Sequence, residues 1–579
     1  MKKHLRTFSV CLLFFTGLTL SAQSWQWLKA SVASDSKMLG ADIDKNGNTW
    51  SFGGFTTSIK YDTTTLSCGN KCNYLAKHDA QGKLNLLLPI HKMFNVLRND
   101  NAGNLYLASN SNGNDPKPFI GSDTLIDPTT PTNYLLLAKV NSAGQILWSI
   151  HYKQTSNVNI TTNDMFTDAS GNAYLLIQYN WDVILKDSTY ALGGPWALMK
   201  INASGKVVYF KKLPNNAANI YGAVDKNGGV VLTGFAGGSS KTITIDAQTA
   251  TNTNAGYKPS TYDIFLAKLD ANATAQWVKL TNNSLTVAIP TLSGPNGVSL
   301  DSKNNIYMYG DYNSQIIFGN DTLSCVVTDQ YSTNPFIVKY TSTGAQKWAY
   351  TSTGATKPGM QFLNVKVSKD DKLYFYGAKP GRSAYINKFY FPRLTSSNSA
   401  DRWIGCFDTT MTNVWYRYIS NGETNNQSPG FGVSDLNDVY VASGSNGALK
   451  LGSVDTTILA GYGTFVQYKN FTASGAGFGA TFAYIAKYAN DTLTTKLNSV
   501  TSLEGVRIYP NPATNYISVE NTNGKNAQVS IYSIDGRFVK GVSIQNQLTD
   551  IGIAELSRGL YFIVVQTSEG KLTEKIVIQ

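Results

Sequence analysis

Between Met1 and Val500 the chain holds one glutamate, Glu423, and over its full 579 residues it holds four histidines. Charged residues of all kinds amount to only 15%. These shortages bear directly on catalysis. A paired-carboxylate glycosidase would have to lean on aspartates, most of which sit in turn-like stretches. A nucleophilic triad needs a histidine, and His78, His91 and His151 show no convincing Ser or Cys partner in sequence. P-loop and dinucleotide-binding glycine motifs are missing as well. No Lys/Arg cluster carries interleaved aromatics, which argues against a nucleic-acid partner. Beyond the N-terminal end no run of about 18 apolar residues occurs, so no transmembrane segment is expected. No long stretch has the period of an amphipathic helix.

What is present points to strands and turns. Hydrophobic residues make up 42%, enough for a substantial core, with 50 Gly, 33 Tyr and abundant Thr, Ser and Asn. That composition favours an all-β fold. The first residues are a separate matter. Lys2, Lys3 and Arg6 precede the short apolar run "FSVCLLFFTGLTL", and "SAQ" then offers cleavage after Ala22, so residues 1–22 read as a signal peptide. Cys11 lies inside that run and is not a lipoprotein cysteine. Export places the remaining cysteines in an oxidising compartment. Cys68 and Cys72 are close enough for a small local disulfide, whereas a zinc site would need a second ligand pair. Cys325 and Cys406 are expected as buried thiols. The formal net charge of +12 includes the three N-terminal positives, and many of the remaining lysines recur at one position of a repeat.

The repeat has two phrases. "DKNGNTW" at Asp44 returns as "DNAGNLY" at Asp100, "DASGNAY" at Asp168, "DKNGGVV" at Asp225 and "DSKNNIY" at Asp301. Worn copies follow at Ser368 and Ser434. Alternating with these are "LLAKVNSAGQILW" at Leu136, "FLAKLDANATAQW" at Phe265 and their relatives, seven copies in all from Tyr74 to Tyr484. A third element, "FGNDTLSC" at Phe318 or "FIGSDTLI" at Phe119, lies between them. Each unit is therefore expected to hold four strands: the turn-Tyr strand, the "DTL" strand, the "AK" strand and the Trp strand. Units that cannot bury both sheet faces alone stack as blades.

These phrases resemble the bacterial β-propeller repeat family, over roughly Trp25 to Leu497. The resemblance implies a seven-bladed β-propeller spanning 23–490 and says nothing of its ligand. The last "AK" strand lacks a following Trp strand, while "SWQWLKA" around Trp27 precedes the first turn. The N-terminal strand is thus expected to complete the last blade, removing an exposed edge. Calcium is not favoured at "DIDKNGNTW": counted from Asp42, the bidentate acid would fall on Gly53. The element reads as a turn, and no cofactor is expected.

A linker, 491–503, leads to a different segment, 504–579. It contains "YPNP" (Tyr509, Pro510, Asn511, Pro512), "DGR" (Asp535, Gly536, Arg537), an L-x-x-G-x-Y phrase with Gly559 and Tyr561, and a terminal "KIVIQ" from Lys575. Alternating strands with a hairpin turn at Asp535-Gly536 read as a small immunoglobulin-like β-sandwich. The motifs closely resemble the type A sorting domain of the type IX secretion system of Bacteroidota. That resemblance implies handling by the outer-membrane translocon and its sorting peptidase, and delivery to the cell surface or the medium. For the repeat region the expectation is a binding module for glycan or protein. A propeller hydrolase or lyase is the alternative, and a structural surface component the third reading. Long irregular connections on one face bring Tyr257, Tyr262, Glu423, Tyr462, Phe465 and Tyr468 forward as candidate ligand contacts.

Overall fold

The computed structural model describes residues 23–579 apart from 34–35, 70, 92–93, 101, 112–117, 126–133, 155–159, 180–182, 186–187, 191–194, 238–239, 255–261, 283–293, 313–314, 325–333, 354–359, 381–383, 387–388, 392–399, 421–429, 447–448, 453–470, 474–480, 491–504, 523–525, 534–537 and 568–570. The protein is all-β, with no helix among the described residues. It divides into a larger compact unit, Ala22–Asn490, and a smaller one that contains Asp491–Gln579.

The larger unit repeats one antiparallel meander. In the first sheet Ser36–Ile43 pairs with Thr49–Phe55, which pairs with Cys72–His78, which pairs with Leu84–Ile90. The pattern recurs in seven sheets, with first strands Ser36–Ile43, Val96–Asn99, Thr161–Thr167, Ala217–Val224, Gly294–Leu300, Gln361–Val367 and Gly430–Val433. Each first strand packs beside the next one, and Gly430–Val433 packs beside Ser36–Ile43. Third strands such as Tyr134–Val140 are buried at every residue. Their apolar runs, interrupted only near the end by the repeat lysine as in "YLLLAKV", fit a strand covered on both faces.

The strand assignment read from sequence needs one correction. The strand after the turn is second in each sheet, and the variable strand before the turn is first. The "DTL" residues lie outside the meander, in hairpins such as Ser58–Tyr61 with Thr64–Ser67 and Thr242–Ile245 with Gln248–Thr251. The first of these pairs with Val32–Ala33 and the second forms a sheet of its own, while other such hairpins pair with the fourth strand of the preceding sheet, as Ile120 does with Ile90 and Ile184 with Lys153. Their turn aspartates carry ion pairs across the joint, Lys29 to Asp62 and Lys211 to Asp246, each at 2.7 Å. Locally such a hairpin has the same alternation as a ladder strand. Only its long-range partner tells them apart.

The seventh sheet takes its fourth strand from the N-terminal segment: Gln23–Ala30 pairs antiparallel with Thr481–Asn490, Trp25 opposite Tyr488 and Leu28 opposite Ala486. Trp27 then lies over the Gly82 turn of the first sheet, as Trp148 of the second sheet lies over the Gly205 turn of the third. Both glycines have positive φ, 78° and 85°, and a side chain at either would strike the indole.

The smaller unit is a sandwich. One sheet contains Val506–Tyr509, Tyr516–Asn521 and Leu548–Gly552. The other contains Ala527–Ser533, Phe538–Ile544, Gly559–Gln566 and Lys571–Ile578. Ile517, Val519, Val529, Ile531, Ile563 and Ile576 form one core between them.

Candidate functional site

The Asp-led phrase folds as a turn in every copy. Asp44 Oδ1 accepts the backbone N–H groups of Asn46 and Asn48, both at 2.9 Å, and Oδ2 accepts from the Asn48 amide at 2.8 Å. Gly47 N–H closes back on the Asp44 carbonyl, with Gly47 at φ 87°. Asp100, Asp168, Asp225 and Asp301 repeat the two backbone contacts, and Ser434 Oγ makes weaker versions. The fourth residue of the turn has positive φ even where it is Asn304, Asp371 or Asn437. These carboxylates are spent on the backbone.

Their outer oxygens hold the repeat lysine. Lys139 lies 3.1 Å from Asp100 and over the Tyr106 ring, Lys487 is 2.7 Å from Asp438 and over Tyr440, and Lys268 pairs with Asp225. The exception follows the same rule. Where the turn begins with Ser368 the lysine is replaced by Cys406, a buried thiol that burial pushes up to about 12. Where these pairs form, the recurring basic charge is structural and neutralised within its sheet, whereas Lys77 donates to the Ser142 carbonyl of the second sheet.

Charge of a different kind lines a cavity of about 760 Å³ enclosed by the seven first strands. Two residues before each turn, the copies supply Asp42, Arg98, Phe166, Ala223, Ser299, Lys366 and Gly432. All but the last face this cavity, together with Asp164, Tyr221, Tyr309 and Asn364. Arg98 pairs with Asp164 at 3.0 Å, and the Asp164 carboxylate also accepts from the backbone of Met165 and Gly222. Burial raises Asp164 above the usual carboxylate range against the pull of Arg98. Asp42 accepts the Asn99 backbone N–H at 2.7 Å. Lys366 is pulled below the ordinary lysine value, chiefly by burial, while Asp42 and Asp164 oppose the shift and Arg98 adds to it. Those three charges come from the first, second and third sheets, across the cavity from the sixth sheet that carries Lys366.

Sequence reasoning missed this cluster. The signal was there in the position where the copies disagree, two residues ahead of a constant turn. Of the candidate ligand contacts, Tyr262 opens the third strand of the fourth sheet, is 55% exposed and meets Phe235 edge-on at 5.9 Å. Tyr257, Glu423, Tyr462, Phe465 and Tyr468 lie outside the described residues, as does Cys325. Strand alternation puts Tyr262 at the end where second strands lead to third, opposite the Asp turns. Cys68 and Cys72 are joined in a disulfide. His78 is buried edge-on to Tyr61, and burial lowers it to about 4. Among the described residues no group of three His, Cys, Asp or Glu is placed to hold a metal ion.

In the smaller unit the "YPNP" segment is bound to the last strand. Asn511 Nδ2 donates to the Lys575 carbonyl at 2.7 Å, and Asn511 Oδ1 accepts the Val577 N–H at 2.9 Å. The peptide bonds before Pro510 and Pro512 are cis. Tyr561 donates its hydroxyl to the Ser557 carbonyl at 2.9 Å, two residues before Gly559. Tyr509 and Tyr516 stay exposed. Asp535, Gly536 and Arg537 lie outside the described residues.

Residues 507–579 match the family of secretion system C-terminal sorting domains. The protein therefore carries a type IX sorting tail and is exported to the cell surface or the extracellular space. No helix among the described residues is long and apolar enough to cross a membrane. No curated protein matches the chain. Among solved structures, an ulvan lyase of polysaccharide lyase family 25 aligns at 9% identity and TM-score 0.37, covering 73% of this chain and 93% of its own. A protein of unknown function from Dyadobacter fermentans aligns at 9% identity and TM-score 0.34, covering 80% and 99%. Likenesses this distant leave the activity to be argued from the chain's own residues.

Proposed function

We propose that the larger unit is a seven-bladed β-propeller, completed by its N-terminal strand, and that it serves at the cell surface as a binding module for a hydroxyl-rich ligand, a glycan. The domain reading that goes with it is 1–22 signal peptide, 23–490 propeller, 491–503 linker and 504–579 sorting domain. The order of contacts among the first strands supports the blade count.

The observation that carries the binding reading is the central cavity, where Asp42, Arg98, Asp164, Tyr221, Asn364 and Lys366 converge from different sheets. Its volume suits a small or oligomeric ligand rather than a protein surface. Carboxylates, amides and tyrosines offer the mixture of acceptors, donors and ring faces that sugars require. The constant residues of the repeat hold backbone and neighbours, and the varying position two residues ahead of the turn faces this wall. Titrating the exported protein calorimetrically against a panel of oligosaccharides should give saturable heat without new reducing ends. Product accumulating with time would instead favour the hydrolase or lyase reading. No retention of any glycan would leave a structural surface component.

A further inference from the structure

We propose that the ligand of the central cavity carries an anionic group, a carboxylate or a sulfate, and that the Lys366 ammonium receives it. This rests on the binding reading above and narrows its ligand class.

The argument is an accounting of charge along the cavity wall. Arg98 is committed: it pairs with Asp164 at 3.0 Å and also donates to the Leu97 carbonyl at 2.8 Å. Asp164 is committed to Arg98 and to two backbone N–H groups. Asp42 accepts the Asn99 backbone N–H and, at 3.3 Å, the Asn99 side-chain amide. Lys366 differs from all three, because it has no hydrogen-bond or ion-pair partner among the described residues. The repeat lysines Lys139, Lys268 and Lys487 each have an aspartate.

Lys366 is half-buried on the cavity wall, and a partly desolvated cation without a hydrogen-bonded partner costs free energy that a protein can avoid by pairing or substitution. Here substitution was open, since the equivalent positions in other sheets carry Ala223, Ser299 and Gly432. An unpaired lysine facing a polar cavity, with space beside it, is satisfied when a ligand brings the anion. The same contact orients the ligand: its charged group lies against the sixth sheet, and its hydroxyls face Asp42 and the Asn364 and Tyr221 side chains. Two sources give that chemistry, a uronic acid and a sulfated sugar, and the probes separate them.

The test uses the full exported protein and three oligosaccharides of equal length: hexuronate, sulfated hexose and neutral hexose. The expected result is that one or both anionic probes bind about tenfold or more tightly than the neutral one, as a charge-assisted hydrogen bond requires. Lys366→Gln should bring the anionic probes down to the affinity of the neutral one, while Lys366→Arg should keep most of the advantage. Lys366→Met is the substitute should the Gln variant fail to fold, and the wild-type comparison needs no variant. Equal binding of neutral and anionic probes overturns the proposal, as does undiminished anionic binding by Lys366→Gln. If neutral binding is nonetheless lost in Asn364→Ala, the cavity reading survives that failure. If no probe binds, both fall together.

Discussion

The two compact units make their functions visible in opposite ways. The smaller unit, which contains the sorting domain at 507–579, is built once, and Asn511 of its "YPNP" phrase is bonded to both Lys575 and Val577 of the final strand. The larger unit is built seven times over, and its most distinctive residues are the ones that mean least for a ligand. Its Asp turns and lysines recur because they do the same local work, closing a turn and, where the two pair, neutralising each other's charge. In a repeat, constancy marks the framework, and the informative positions are those where the copies part company. Arg98 and Lys366, at the varying position two residues ahead of the turn, are of that kind.

Removing the smaller unit gives the sharpest form of this comparison. Deleting Val506–Gln579 is expected to abolish export and trap the protein in the periplasm, because the unit carries the sorting signal. The repeat unit should still fold there, since its core clusters draw on no residue beyond Asn490. Protease applied to intact cells makes the measurement. Degradation of the truncated protein from outside would place the signal elsewhere.

The second test breaks the repeat at its seam. Without Ser24–Ala30 the strand Thr481–Asn490 loses a partner it holds along its length, and Trp25 leaves the core it shares with Tyr488 and Trp415. An open edge and a vacated tryptophan site should together cost several kcal/mol and invite aggregation. A large drop in soluble yield and in the midpoint of thermal unfolding is expected. Unchanged values would mean that the N-terminal strand does not complete the seventh sheet.

Much of this architecture was legible in the residues, and the exceptions have a common cause. Turn chemistry is local: an Asp followed three positions later by a Gly or Asn could be read at Asp44 and at Asp100 without any partner in view. The N-terminal strand was legible because one Trp phrase was missing at one end and spare at the other. The "DTL" hairpins were misplaced because Ile120 finds Ile90, and Asp246 finds Lys211, only across a joint between sheets. The cavity wall was illegible for the same reason. Asp42, Arg98 and Lys366 stand far apart in the chain, and nothing local says that their strands converge.

Asp311 offers the smallest and most specific test, on a group whose neighbours come from two sheets. It sits in the second strand of the fifth sheet, fully buried, accepting from Asn296 Nδ2 at 2.9 Å, and burial pushes it up to about 7 from an ordinary carboxylate value of 3.8. The Asn296 amide and the Phe362 backbone oppose that shift, and Oδ1 has no hydrogen-bond partner among the described residues. Asn296 also donates to the Phe362 carbonyl at 3.0 Å, so the group lies at the joint between the fifth and sixth sheets. The sign follows from linkage. The folded state holds this proton more tightly than the unfolded chain, so the contribution to stability is complete below about pH 4 and is lost as pH rises to about 7. Above that the loss is constant, a few kcal/mol at most. Asp311→Asn keeps the shape of the protonated acid and cannot ionise. Its thermal midpoint should match wild type near pH 4 and exceed it at pH 8, the gap opening between those values. Tryptophan fluorescence reports the larger unit alone, since no tryptophan follows Trp415. A variant that tracks wild type across the whole range would show that Asp311 is ionised in the folded protein, and a variant less stable at pH 8 would show that its charge is needed there.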